Sequence, residues 1–236
     1  MVTPSRKKRP GQGTASVAPG GPGQGNGLDT LPPGDQGTTA PSGGPTRRWT
    51  AMRYHAEQWR LWNSQARFRI VPAGRRSGKT EIAKRWVIQR ACNLRVQGRK
   101  YALAAPTRDQ AKRIFWHDLK QLVPTAWMAA PPRETDLEIL LVNGTRLCVV
   151  GMDRPERIEG EPLHGIVLDE YANMREEAWT QNVSPALDTP GQPPGWAWFI
   201  GVPEGRNHYW ELWTEAQHLR EAGQPWDRFH LSLIHI

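Results

Sequence analysis

Short apolar runs alternating with amphipathic stretches predict an α/β protein with a mostly parallel sheet, flanked by helices on both faces. Two further observations locate the working edge of that sheet. The run Phe68-Arg69-Ile70-Val71 leads through Ala-Gly-Arg-Arg-Ser-Gly-Lys-Thr (73–80) into a helix-like segment, 81–90. Further on, the apolar run Gly165-Ile166-Val167-Leu168 closes on two acids, Asp169-Glu170. Ligands of open parallel sheets sit beyond the carboxyl ends of the strands, so both features belong to one edge of the fold.

Taken in order, residues 50–64 have helical character, with Trp59, Leu61 and Trp62 supplying apolar surface. A strand over 67–71 and the turn at 73–80 follow, then a helix to about Val96. The apolar run 101–105, stopped by Pro106, reads as a buried strand. Thr107 or Asp109 caps the next helix, on which Ala111, Ile114, Phe115, Leu119 and Leu122 share a face. Segments 137–142 and 145–150 flank Asn143-Gly144, a two-residue turn signal, so a β-hairpin insertion is expected. After the strand at 165–168 come a partly helical stretch (179–187), a strand (196–202) and a helix (208–220). The chain carries no internal repeat.

Composition divides the chain at about residue 48. Residues 1–48 are rich in Gly, Pro, Ser, Thr and Gln and hold no aromatic residue. Such a stretch cannot bury enough apolar surface to offset its ordering entropy and is expected to be a disordered basic tail. Residues 49–236 have the Trp-rich and aliphatic content of a folded domain. The tail holds six Lys/Arg against two Asp, which is half of the net charge of +8. Its Arg6-Lys7-Lys8-Arg9 suits contact with a polyanion or a plain solvated arm, and the folded part is only mildly basic. Cys92 and Cys148 stand alone without neighbouring ligand pairs and are expected to be buried reduced thiols. Neither a secretory signal nor a membrane-spanning run is seen, which suits a soluble cytosolic protein.

The turn at 73–80 carries the first chemistry. A strand, a small-residue turn ending in Gly-Lys-Thr and a helix make a phosphate loop, hence a P-loop nucleoside triphosphatase (NTPase) fold. Amides of Gly74, Arg75, Arg76, Ser77, Gly78 and Lys79 can converge on phosphate oxygens, with the helix dipole favouring the anion. Lys79 would reach the β- and γ-phosphates of ATP and the Thr80 hydroxyl would ligate Mg²⁺. The strict pattern asks for Gly at 73, where this chain has Ala. Asp169 would complete the metal site, and Glu170 would polarise the attacking water. Glu directly after the Asp suggests hydrolysis by this chain itself. A third loop, Gly201-Val202-Pro203-Glu204-Gly205-Arg206-Asn207-His208, again joins an apolar strand to a helix and suits sensing of the γ-phosphate.

As an ordered set, these blocks resemble the ATPase domain of the large terminase subunit, the DNA-packaging motor of tailed bacteriophages. The likeness rests on Gln58, A-G-R-R-S-G-K-T and A-A-P-T-R-D-Q-A-K-R-I-F-W from Ala104. It continues with N-G-T-R-L-C-V-V-G-M-D-R-P-E-R-I-E-G from Asn143, G-I-V-L-D-E-Y-A from Gly165 and G-V-P-E-G-R-N-H-Y-W from Gly201. The resemblance implies that Gln58 reads the adenine edge. It implies that Arg75, or else Arg76, acts near the γ-phosphate, and that Asn207 belongs to the coupling loop. The resemblance implies a structural or DNA-linked role for Thr107 and Arg108, though Thr107 reads more readily as a plain helix cap. Two departures stand out: Val202 replaces the family's usual Ser or Thr, and Ile158-Glu159-Gly160 replaces its usual Leu-Arg-Gly. Glu159 reads as a surface charge.

By the same resemblance the expected partners are double-stranded DNA, the portal protein, the small terminase subunit and sister subunits in a ring. The expected place is the host cytoplasm. The C-terminal nuclease domain of large terminases is missing from this sequence, so a truncated frame without DNA cleavage is expected. The alternatives are a helicase-type translocase, or a DNA-binding or assembly fragment that holds nucleotide without turning it over.

Overall fold

The computed structural model describes residues 54–231. The basic tail, residues 49–53 and the last five residues lie outside the described part. A seven-stranded sheet runs in the order β3-β4-β2-β5-β6-β1-β7. Its strands are β1 (Phe68–Pro72), β2 (Lys100–Ala105), β3 (Glu138–Leu140), β4 (Arg146–Gly151), β5 (Gly165–Asp169), β6 (Trp196–Gly201) and β7 (Trp226–Arg228). Every neighbouring pair is parallel except β3 with β4. The expected mostly parallel sheet with a hairpin insertion is present.

Side-chain alternation along the strands builds a core on each face. Val71, Leu103, Val149, Val167, Trp198 and Ile200 face one way, against α1 (Ala56–Asn63), α2 (Lys79–Ala91) and α4 (His117–Leu122). Ile70, Ala102, Ile166, Leu168, Ala197 and Phe199 face the other, against α5 (Ser184–Leu187) and α6 (His208–Glu221). Strands covered on both faces are continuously apolar, which is why they read as runs in the sequence.

Five local features differ from the sequence reading. Helix α2 stops at Ala91, short of Val96. The Asn143 amide donates to the carbonyls of Ala91, Asn93 and Val96 at 2.8, 3.1 and 2.9 Å, folding the chain away from the helix axis. The hairpin turn is also longer than Asn143-Gly144 alone. Gly144 donates to the Leu141 carbonyl at 2.9 Å and Leu141 to that of Thr145 at 2.8 Å. Gly144 has φ +74° while Asn143 does not share a positive φ, so this is a three-residue loop closed by a left-handed glycine.

Thr107, rather than Asp109, caps α3 (Arg108–Ala111), in a reciprocal pair with Gln110. The expected single helix then widens into a π-helical turn, Lys112–Trp116, before α4. Strand β7 had no apolar run to announce it: Trp226-Asp227-Arg228 pairs with β1 at the sheet edge. A charged residue also lies where none was expected. Arg69 of β1 is buried, its guanidinium 4.2 Å from the Trp86 ring and 5.1 Å from that of Trp198. Burial pushes it down to about 9, and its Nε donates to the Ala66 carbonyl at 3.1 Å. Both cysteines are free and buried, and burial raises each to about 12, so they are inert thiols as expected.

Candidate functional site

Strands β1 and β5 end at the same edge of the sheet, with β6 between them. The loop after β1 is shaped by three backbone bonds. Ala73 donates to the Gly201 carbonyl at 2.9 Å, Gly74 to that of Leu231 at 3.3 Å, and Ser77 to that of Gly74 at 3.4 Å. Ala73 is thus buried just beyond β1, bridged to Leu231, rather than part of the turn, which explains why a residue with a Cβ is tolerated there. Gly74 has its amide engaged by Leu231 and shapes the loop. The left-handed positions are Arg76 (φ 63°) and Gly78 (φ 76°). Alternation of backbone hand is the pattern that forms an anion-binding concavity. The first bond closing α2 runs from Ile82 to the Gly78 carbonyl at 3.0 Å. The amides of residues 78–81 therefore head the helix without an intrahelical acceptor.

The acid pair meets this loop directly. The Thr80 hydroxyl donates to Asp169 Oδ2 at 2.7 Å, and Lys79 Nζ lies 3.6 Å from Glu170 Oε1. Lys79 is 7% exposed and Asp169 only 1%. Glu170 sits in the left-handed region (φ 54°, ψ 44°), and its amide donates to Asp169 Oδ1 at 2.9 Å. A side-chain-bearing residue held there costs of order 1–2 kcal/mol, so the surroundings must impose it.

Burial pushes the Asp169 carboxyl up to about 6; the Thr80 hydrogen bond opposes that shift and the neighbouring Glu170 adds to it. The folded state therefore binds this proton more tightly than the unfolded chain, whose ordinary value is 3.8. The favourable contribution is complete below the unfolded value and is lost as pH rises through the folded one. Asp169→Asn, which mimics the protonated acid, is expected to stabilise the domain by about 3 kcal/mol at pH 7. Thermal unfolding without nucleotide or Mg²⁺ checks this, and the gain should fade toward pH 4. An equal melting temperature at pH 7 would contradict it.

These oxygens fit a hard divalent cation. Mg²⁺ commonly takes only one or two protein ligands beside water and phosphate oxygens. A buried carboxylate touching a hydroxyl in the first turn of α2 matches that donor set. Among the described residues no larger group of three or more His, Cys, Asp or Glu gathers to hold a metal.

The other candidates fall as follows. Arg75 and Arg76 are both exposed on the loop. Gln58 is buried rather than on the surface, and its amide donates to the Ser77 carbonyl at 3.1 Å, so α1 steadies the loop. Ser77 is itself buried. Asn207 caps α6 by accepting from Tyr209 and Trp210 at 3.1 and 3.3 Å, and its amide donates to the Ala172 carbonyl at 3.5 Å. Arg108 donates from its backbone to Asp153 at 3.1 Å and from its guanidinium to the Thr135 carbonyl, a structural use of both groups. Glu159 is exposed and accepts from Asn182, as a surface charge would. Sequence reasoning missed the aromatic cluster behind Glu170, where Tyr171 packs edge-on against Phe199, His208 and Tyr209. Its only trace was the run Asn-His-Tyr-Trp at 207–210.

Residues 70–226 match the family described as terminase large subunit, T4likevirus-type, N-terminal. The chain belongs to this family. The terminase large subunit of Thermus phage G20c is 27% identical over 177 residues, covering 67% of this chain and 35% of that protein. That of Thermus virus P23-45 is 28% identical over 178 residues, with the same coverage. The terminase chain thus spans about a third of the length of these curated relatives. Among solved structures, the large terminase ATPase domain of Thermus phage P74-26 shares the fold, with a TM-score of 0.64 and 23% identity over 78% of this chain and 82% of that one. The large terminase of a thermophilic bacteriophage, solved in complex with ADP, matches with a TM-score of 0.58 and 18% identity over 76% of this chain and 45% of that one. Among the described residues of this terminase domain, no helix is long and apolar enough to cross a membrane.

Proposed function

We propose that this domain hydrolyses ATP and, within a full-length terminase large subunit, drives double-stranded DNA into a procapsid. The observation that carries the reading is the junction of loop and acids: Thr80 bonded to Asp169 at 2.7 Å, with Lys79 3.6 Å from Glu170. Two segments far apart in sequence meet where a triphosphate chain would lie. The amides of residues 78–80 and Lys79 hold the phosphates, and Arg75 or Arg76 faces the γ-phosphate. Thr80 and Asp169 hold Mg²⁺, which when bound neutralises charge on the β- and γ-oxygens. Glu170 accepts a hydrogen bond from the attacking water and orients it in line with the γ-phosphorus. Gln58 offers its remaining amide N–H to the adenine edge while its bond to the Ser77 carbonyl holds the loop. Loss of the γ-phosphate reaches α6 through Asn207, which links the loop after β6 to the turn following Glu170. Val202, without a hydroxyl, leaves that coupling to Asn207.

The relatives are named as terminase large subunits and as a large terminase in complex with ADP, which supports nucleotide use here. Portal protein, small terminase subunit and sister subunits in a ring are the partners this reading assigns, with the host cytoplasm as the site of assembly. The domain layout proposed is a basic tail over 1–48 that contacts DNA and an ATPase domain over 49–236. Steady-state ATP hydrolysis by the 236-residue chain with Mg²⁺ tests the proposal, with and without double-stranded DNA. Mg²⁺-dependent turnover that rises with DNA is the expected result. Bound nucleotide without turnover would favour the non-catalytic fragment instead.

A further inference from the structure

We infer that His208 is a positioning residue for Glu170, acting through the carbonyl of Tyr171. The inference rests on the proposed role of Glu170 in orienting water. Glu170 is held in the left-handed region, and the turn after it, Tyr171–Asn173, is the part of the chain that keeps it there. Three contacts brace that turn from within. Glu170 donates to its neighbour Asp169 at 2.9 Å, Asn173 donates to the Glu170 carbonyl at 3.0 Å, and Met174 to that of Tyr171 at 3.0 Å. Bonds this local shape the turn but do not anchor it to the rest of the fold, so they neither set where the Glu170 carboxylate points nor keep the turn closed on their own.

The outside brace comes from the start of α6. His208 Nε2 lies 3.0 Å from the Tyr171 carbonyl oxygen, and its ring packs edge-on against the Tyr171 ring with centroids 4.9 Å apart. A carbonyl oxygen has no proton to give, so Nε2 is the donor. That donor exists in the neutral Nε2–H form and in the imidazolium alike, so the brace does not depend on the charge of the ring. Asn207 adds a longer contact, 3.5 Å, to the next carbonyl, that of Ala172. On the far side Gly201 lets the turn approach β6: a Cβ there would lie 3.2 Å from the Tyr171 amide. The turn is thus gripped between β6 and α6, and His208 supplies the shorter of the two side-chain bonds from α6. Because Asn207 caps the same helix, a shift of α6 moves both donors together and with them the Glu170 carboxylate.

The test compares His208→Ala, His208→Phe and His208→Gln in the full chain. Ala removes donor and ring, Phe keeps the ring alone, and Gln returns an amide donor at similar reach. Displacing a positioned group by about 1 Å costs up to roughly 10²-fold in rate, so Ala and Phe should lower kcat roughly ten- to a hundredfold. KM for ATP should stay within about twofold of wild type, because Lys79, Thr80 and the loop amides are untouched. Gln should restore most of the rate, with a pH profile of kcat matching wild type. A second readout needs no turnover: amide hydrogen exchange of Asn173 and Met174 should quicken in His208→Ala and return in His208→Gln. Unchanged exchange in the Ala variant, or unchanged kcat in a turning-over enzyme, would overturn the inference. If wild type does not hydrolyse ATP, the role of Glu170 falls and the inference with it, whereas wild-type turnover with a failed rescue by Gln removes His208 alone.

Discussion

Glu170→Gln is expected to lower kcat for ATP hydrolysis by roughly 10²–10⁴-fold while leaving ATP binding intact. The substitution preserves shape and the backbone hydrogen bond to Asp169 but removes the carboxylate proposed to polarise the attacking water. Its effect on affinity has a defined sign. Lys79 Nζ lies 3.6 Å from Glu170 Oε1, so the carboxylate competes with phosphate for the ammonium. Neutralising position 170 releases Lys79 to the nucleotide, and the dissociation constant for ATP should hold or tighten. Equilibrium binding of a fluorescent ATP analogue, set beside single-turnover hydrolysis, separates the two effects. Turnover within about threefold of wild type, far short of the loss expected of a general base, would remove Glu170 from the chemistry and leave it as the partner of Lys79.

The site's two halves were legible in the sequence because each is local. A phosphate loop is a strand, a turn and a helix in succession, and the acid pair ends a buried strand. Neither needs knowledge of distant contacts, and the sheet brings them together as expected. Ala73 looked like a departure only because the motif pattern counts positions rather than conformations. In the fold the left-handed turn falls at Arg76 and Gly78, and residue 73 lies just beyond β1, bridged to Leu231.

What stayed hidden depends on contacts between distant residues. Asn143 ends α2 from across the hairpin, and nothing near residue 91 announces it. Strand β7 carries Trp, Asp and Arg and is a strand only because β1 offers an edge. Arg69 looks like a surface residue until Trp86 and Trp198 enclose it. Gln58 could be matched to a family position, yet its bond to Ser77 is a property of how α1 lies on the loop. The brace on Glu170 from His208 was equally invisible, since Asn-His after a strand reads as an ordinary helix start.

Lys79→Ala tests the other half of the site and should fail differently. It is expected to lower kcat/KM for ATP by roughly 10²–10³-fold, with loss of affinity as well as of turnover, because the proposed site has the ammonium meet the phosphates in both ground and transition states. The fold should survive. Lys79 heads α2 rather than standing within it, and Glu170, with its side chain about a third exposed, keeps access to solvent when its partner is gone. Lys79→Met, which retains the buried stem, should lose the same affinity with less change in melting temperature, separating charge from packing. The double variant Lys79→Met/Glu170→Gln completes a cycle. If the resting ion pair held Lys79 back from nucleotide, its removal should matter only where Lys79 is present. Glu170→Gln would then tighten ATP binding in the wild-type background and leave it unchanged in the Met background. Equal effects in both backgrounds would mean that the 3.6 Å contact is incidental, and that Glu170 acts on the nucleotide independently of Lys79.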